Sequence, residues 1–221
     1  MNPQKRMKPC LKRHNFYFQF LYTMKFLAFT DLHEDKEMLN KLVKRAAKED
    51  IDFVICCGDI STFGNGLHYN LKKLNALGKK VYVVPGNHEE GGEFAQVIAG
   101  YSNFVNLDRT VKIVGDYVFL GYGGGGFSLQ DTEFRKIARE WYGKYNGKKI
   151  ILITHQPPYG TKLDWLGNRH VGNKDFSTFI SRVKVKLALS GHLHETVGIV
   201  DAIGETKIAN PGWEGMVIEL P

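Results

Sequence analysis

Apolar and polar positions follow two rhythms along this chain, and the changes of rhythm outline its elements. Met24 to Thr30 is a largely apolar run of strand length that stops at Asp31-Leu32-His33. Glu37 to Lys48 then sets Met38, Leu39, Leu42, Val43, Ala46 and Ala47 on one helical stripe. Asp52 to Cys57 is again a strand and ends in Gly58-Asp59. Leu67 to Leu77 is amphipathic and helical, and leads to the run Val81 to Val84, which Pro85-Gly86 cuts off before Asn87-His88. Strand, helix, strand, helix, strand is a repeated βαβ pattern, which requires parallel pairing with right-handed crossovers. The three polar clusters therefore fall at one edge of one sheet, beyond the carboxyl ends of its strands.

The second half predicts a helix over Phe94 to Gly100, then a hairpin of Val111–Val114 and Tyr117–Tyr122 about Gly115-Asp116. Gly123 to Gly126 lacks the Lys-Ser/Thr of a phosphate-cradling loop and reads as a turn. A helix from Asp131 to Tyr145 precedes the strand Lys149 to Thr154, which ends in His155. The loop 156–174 is long for a mere connection. A helix (Phe176 to Val183) and a strand (Lys186 to Leu189) follow, the latter ending in Ser190-Gly191-His192-Leu193-His194. Thr196–Val200, Thr206–Ile208 and Met216–Leu220 are expected as antiparallel late strands, with a break at Asn210-Pro211-Gly212. No repeat, low-complexity segment or linker divides residues 24–221, which are expected to form one domain.

Charge changes this picture only at the start. The net +7 includes Lys5, Arg6, Lys8, Lys12 and Arg13, with no acid before residue 24; the remainder holds 25 basic against 23 acidic residues. A body this close to neutral is weak ground for a nucleic-acid track. Residues 1–23 read as a basic and aromatic appendage (Phe16, Tyr17, Phe18, Phe20, Tyr22), and Met24 is a candidate natural start. The apolar stretch around it is broken by Gln19 and Lys25, too short to span a bilayer and without a cleavage pattern. Cys10, Cys56 and Cys57 make an odd set with no framework spacing, as in a reducing cytosol, and the adjacent pair should face opposite sides of its strand. The expected location is cytoplasmic.

The five predicted strand ends carry Asp31 and His33, Asp59, Asn87 and His88, His155, and His192 and His194. Any one of these has a local explanation as a turn or surface residue; their recurrence at strand ends points to a metal site. Carboxylate, imidazole and amide together suit first-row metals such as Mn, Fe or Zn. The donors exceed what one ion takes while leaving room for water, so two ions sharing a carboxylate are expected, with Asp59 the natural bridge. Two ions roughly 3.5–4 Å apart are the standard device for displacement at phosphorus.

Asp31-x-His33, Gly58-Asp59, Gly86-Asn87-His88-Glu89, His155 and Gly191-His192-x-His194 together resemble the signature of the calcineurin-like metallophosphoesterases, over residues 24 to about 212. The resemblance implies an α/β fold, a four-layer α/β/β/α sandwich of two mixed sheets with metals at the strand ends. It implies that Asp31, His33, Asp59 and His194 hold one divalent ion and Asp59, Asn87, His155 and His192 the other. Mn is the expected metal, with Fe, Zn, Ni or Co as alternatives. It further implies a hydroxide held between the ions as nucleophile, with His88 assisting the leaving group rather than ligating. The expected activity is phosphoester hydrolysis, diesters favoured, on a small substrate. A metal-binding scaffold without activity and a nuclease tethered by the basic tail are the rival readings.

Two departures narrow the resemblance. Protein phosphatases of the family carry a second Asp three residues after the bridging one, then Arg-Gly; Thr62-Phe63-Gly64 stands here, so an acid that would orient His88 is missing. They also place Arg where Pro85 stands. The compact His155-Gln-Pro-Pro158 and His170-x-Gly172 features resemble small prokaryotic phosphoesterases. In the loop 156–174, Tyr159, Arg169 and His170 are the candidate substrate contacts, with Lys162, Asp164 and Trp165 beside them.

Overall fold

The computed structural model describes residues 7–8, 21–48, 50–90 and 93–221. The expected appendage lies mostly outside them, Cys10 and most of its charged and aromatic residues included. Its described part is an antiparallel pair, β1 (Met7–Lys8) with β2 (Leu21–Tyr22). From there the chain runs β3 (Met24–Phe29), α1 (Lys36–Ala46), β4 (Phe53–Cys56), α2 (Leu67–Asn75), β5 (Val81–Val83), α3 (Glu93–Ala99) and β6 (Phe104–Asn106). It continues with β7 (Thr110–Val114), β8 (Tyr117–Tyr122), α4 (Thr132–Tyr145), β9 (Lys149–Thr154), β10 (Trp165–Leu166) and β11 (Arg169–His170). Last come α5 (Lys174–Val183), β12 (Leu187–Leu189), β13 (Val200–Ile203), β14 (Thr206–Ala209) and β15 (Met216–Leu220).

Two mixed sheets result, ordered β15-β3-β4-β5-β6 and β13-β14-β12-β9-β8-β7. The strands alternate between two buried faces, because successive side chains point to opposite sides. Phe26, Ile55 and Tyr82 meet Phe119, Ile151 and Leu189 between the sheets. Leu27, Val54 and Val83 face outward onto Leu39 and Leu42 of α1, Leu71 of α2 and Phe94 of α3. On the far side Leu120, Ile150 and Leu152 pack against Phe134 and Trp141 of α4 and Phe176 and Phe179 of α5. Three apolar interfaces thus separate four layers, helix, sheet, sheet, helix. Cys56 and Cys57 are buried, unpaired and split between the outer and inner interfaces. Among the described residues no helix is long and apolar enough to cross a membrane.

Helix starts follow local polar chemistry. Asp35, Asp131 and Asn173 cap α1, α4 and α5, their side-chain oxygens accepting backbone N–H bonds of the first turn. The tail departs from expectation. Residues 196–199 form no strand: His194–Thr196 is a 3-10 turn, Gly198 has φ 78°, and β13 begins at Val200. The late strands are also not all antiparallel, because β14 pairs parallel with β12 and only its other edge, with β13, is antiparallel. β15 crosses to the first sheet and pairs antiparallel with β3 from Met24 to Ala28. β6, which no run of apolar residues announced, closes the other edge of that sheet.

Candidate metal centre

Five strands, β3, β4 and β5 of one sheet and β9 and β12 of the other, deliver their carboxyl ends to one place. The turns after them are unusual. Asp31, His33, Asp59 and His192 all have positive φ, between 49° and 72°, a region that non-glycine residues enter rarely and chiefly at functional sites. The turns are stitched to one another: Asp31 N–H donates to Gly58 O (3.1 Å), His33 N–H to Asp59 O (3.0 Å) and Gly191 N–H to His155 O (2.8 Å). Carboxylates take part as well, Asp59 Oδ1 accepting from His88 N (3.0 Å) and Asp31 Oδ2 from His192 N (3.0 Å).

Close approach of backbone is required here. A Cβ on Gly86 would overlap Asp59 Oδ1, and one on Gly191 would overlap Thr30 Oγ1. Only glycine fits at either position. Glu89 ties two turns together by accepting from Ser61 N (2.9 Å), Ser61 Oγ (2.7 Å) and Gly86 N (3.0 Å). Burial first, and then the charge of Asp59, raise its carboxyl pKa.

The donor atoms form two groups. Asp31, His33 and His194 bring one ligand atom each to within 4.8 Å of one another, and so do Asp59, His155 and His192. Asn87 joins the second group through its Oδ1, 2.9 Å from His155 Nε2. His88 and Asp59 approach His33 in a third such grouping between the two, with His88 Nε2 3.8 Å from Asp59 Oδ2.

The chemistry of these atoms fits cations. Backbone carbonyls only accept, so His33 Nδ1 (3.3 Å from Ser61 O) and His155 Nδ1 (2.9 Å from Cys57 O) carry the ring hydrogens. With a cation bound, the neutral rings would turn bare Nε2 lone pairs inward, a tautomer choice typical of metal-ligating histidine. His33 Nε2 faces His194 Nε2 at 3.2 Å, and His155 Nε2 faces Asn87 Oδ1 and, at 3.3 Å, Asp59 Oδ2. His192 Nε2 is buried with no hydrogen-bond partner among the described residues. Lone pairs aimed at lone pairs are stable only around positive charge.

Protons can supply part of that charge. Burial opposes protonation of His155, but the hydrogen bond to Asp59 and the charges of Asp59 and Asp31 outweigh it and push its pKa up to about 9. Burial likewise opposes ionisation of Asp59, yet the bond and charge of His155 hold its carboxyl below the ordinary value. Burial, with the charge of Asp59 adding to it, raises Asp31. Burial, then the charge of His155, lowers His192 to about 4, keeping its lone pair free.

Sequence reasoning missed the rim. The Phe63 ring lies tilted 4.1 Å from that of His88, Phe127 tilted 4.8 Å from His192, and Trp213 meets His194 edge-on at 5.7 Å. Thr62 stands where the orienting acid is missing, with Phe63 beside it, and His88 Nδ1 is buried without a hydrogen-bond partner among the described residues. The glycine run also does more than turn: Gly124 N–H donates to Pro85 O (2.7 Å) and Gly125 N–H to Glu90 Oε1 (2.6 Å), bracing the Asn87-His88 turn. Asn210 is buried and structural, its Nδ2 donating to Leu193 O and Thr196 Oγ1.

The candidate substrate loop is ordered about Asp164, which is fully buried and accepts from Thr161 N (2.8 Å), Gly172 N (3.0 Å) and His170 Nδ1 (2.8 Å). Tyr159 and His170 lie ring to ring at 5.4 Å, Lys174 sits over Tyr159, and Arg169 pairs with Leu166 in the β10–β11 hairpin. These three candidates thus make their contacts within this loop and to α5.

Comparison with known proteins bears on this geometry. The chain is 33% identical over 203 residues to an uncharacterized protein of Methanocaldococcus jannaschii, covering 85% of this chain and 88% of that one. It is 28% identical over 183 residues to a probable glycerophosphodiester phosphodiesterase of Arcobacter nitrofigilis, covering 76% and 66%. The fold matches a solved structure from Thermus thermophilus with TM-score 0.69 at 17% identity, covering 87% and 91%. The family model for calcineurin-like phosphoesterase matches residues 24–196, and with the clustered Asp and His donors at the strand ends this chain belongs to that divalent-metal-dependent family.

Proposed function

We propose that the protein is a dinuclear metal-dependent phosphoesterase that hydrolyses small phosphodiesters in preference to monoesters. The observation that carries this reading is the pair of adjacent donor groups, Asp31/His33/His194 and Asp59/His155/His192, with His88 between them. Asp31, His33 and His194 would hold one divalent ion, Asn87, His155 and His192 the other, and Asp59 both. Mn is our choice, since the mixed carboxylate, imidazole and amide set suits first-row metals. Bound ions at such a centre polarise the phosphoryl oxygens and bring the pKa of water towards neutrality.

The chain's own residues do the rest. His88 has its Nδ1 shut in, so Nε2 is the nitrogen that gives a proton to the departing oxygen. With no acid to orient it, the imidazole is kept in position by the neighbouring Phe63 ring. The diester preference is supported by the name of the Arcobacter nitrofigilis relative.

The test is hydrolysis of bis(p-nitrophenyl) phosphate beside p-nitrophenyl phosphate by metal-stripped protein resupplied with Mn. Turnover is expected with the diester faster, lost in Asp59→Asn and reduced about 10²–10⁴-fold in His88→Ala, the usual range for a general acid. Turnover independent of metal or of Asp59 would refute the reading.

A further inference from the structure

The two most exposed phenylalanines of the described chain, Phe63 at 73% and Phe127 at 58%, both lie on histidines of the centre. Phe63 is also held at φ 50°, in a turn closed by Thr62 and Asn65 and by Gly64 N–H on Ser61 Oγ (3.3 Å). A non-glycine residue kept in that region, with its ring in water, is the kind of local strain that gathers at binding sites. Beside it opens a cavity of about 310 Å³ lined by Phe63, Leu67, His88, Phe94 and Val97 and by the carboxyl-bearing Glu89, Glu90 and Glu93. That volume is at the lower end of ligand pockets, roughly 300–1,000 Å³. Its lining contains no Lys or Arg.

We infer that this cleft, with Phe63 as its wall, seats the leaving alcohol of the substrate, and that this alcohol is flat or apolar and bears no negative charge. The inference rests on the phosphoesterase reading and on His88 as the group beside the leaving oxygen. An apolar ring entering the cleft removes the exposed face of Phe63 from water and stacks on it. A leaving group carrying phosphate or carboxylate would meet Glu90 and Glu93 with no cation to offset them. Polynucleotides, whose leaving groups bear further phosphates, are therefore disfavoured at this wall. Phe127 and Trp213 lie over other histidines and serve no part of this subsite.

Calorimetric titration of Mn-loaded protein with methyl, phenyl and 4-carboxyphenyl phosphonate tests the inference without turnover. Phenyl phosphonate should bind about tenfold tighter than methyl phosphonate, a ratio set by ring stacking and apolar burial. The 4-carboxyphenyl compound should bind more weakly than phenyl by about threefold. Phe63→Ala should reduce the phenyl-to-methyl ratio to about twofold, Phe63→Tyr should restore it, and Phe127→Ala should leave it intact. A ring that merely steadied His88 would leave that ratio unchanged in Phe63→Ala. That result, no phenyl preference in the wild-type protein, or loss of preference in Phe127→Ala instead would overturn the inference. Retained hydrolysis of p-nitrophenyl esters alongside any of these would leave the phosphoesterase reading standing. Absence of both hydrolysis and phosphonate binding would remove both.

Discussion

Single residues decide whether this centre can form, and the most exacting are two glycines that carry no chemistry. Gly86 and Gly191 lie against Asp59 and Thr30 so closely that a methyl group would overlap them. We expect Gly86→Ala to destabilise the protein by about 1–3 kcal/mol through forced backbone shifts, and to lose metal binding because Asp59 is displaced. Gly191→Ala should act in the same way through Thr30 and Asp31. Gly126→Ala, where nothing lies within 4 Å of the added carbon, is the matched control and should be neutral. Thermal melts and Mn titrations of the three variants check this, and an intact Mn site in Gly86→Ala would disprove the account. The donors themselves were legible in the sequence, because aspartate, asparagine and histidine recur where apolar runs end. The rim was not. Phe63, Phe127 and Trp213 are distant in sequence and meet only at the folded edge, and no spacing rule connects them.

Elements other than the βαβ units depend on polar ties that periodicity does not reveal. The loop 156–174 shows no helix or strand period in the sequence, yet the buried Asp164 carboxylate gathers Gly160, Thr161, His170 and Gly172 around itself. Asp164→Ala leaves several donors unsatisfied at a cost of about 1–3 kcal/mol each where they stay buried, and the segment should open locally before the sheets do. Trypsin should then cut after Lys162 or Arg169 at least several-fold faster than in the wild-type protein, with circular dichroism little changed. Equal cleavage rates would show that Asp164 does not hold the loop. The predicted strand over Thr196–Val200 fails for a related reason. Thr196 Oγ1 donates to the carbonyls of Leu193 and Leu163, and this local bonding competes with strand pairing.

At the level of the whole molecule, the fold confines two buried carboxylates and several inward lone pairs at the meeting of two sheet edges, a strained arrangement that cations relieve. Divalent metal should therefore stabilise the native state. Saturation at about 100 times the dissociation constant corresponds to about 2.7 kcal/mol and, for a chain of this size, raises Tm by roughly 5–10 °C. Melting curves of stripped and Mn-loaded protein read this directly. Asp59→Asn should abolish most of the shift, and a wild-type Tm indifferent to metal would contradict the proposed centre. By itself the sequence determined the order of strands and helices in the first half, the four-layer class through its resemblance, and the residues presented at each strand end. Strand periodicity and turn residues are local, and they encode such things directly. Only the tertiary structure decided that β15 returns to pair with β3, that β14 runs parallel to β12, and that Gly124 and Gly125 brace the His88 turn. It also decided which aromatic rings surround the donors. Each of these is a contact between segments far apart along the chain, and its energy comes from pairing and burial that local pattern cannot specify.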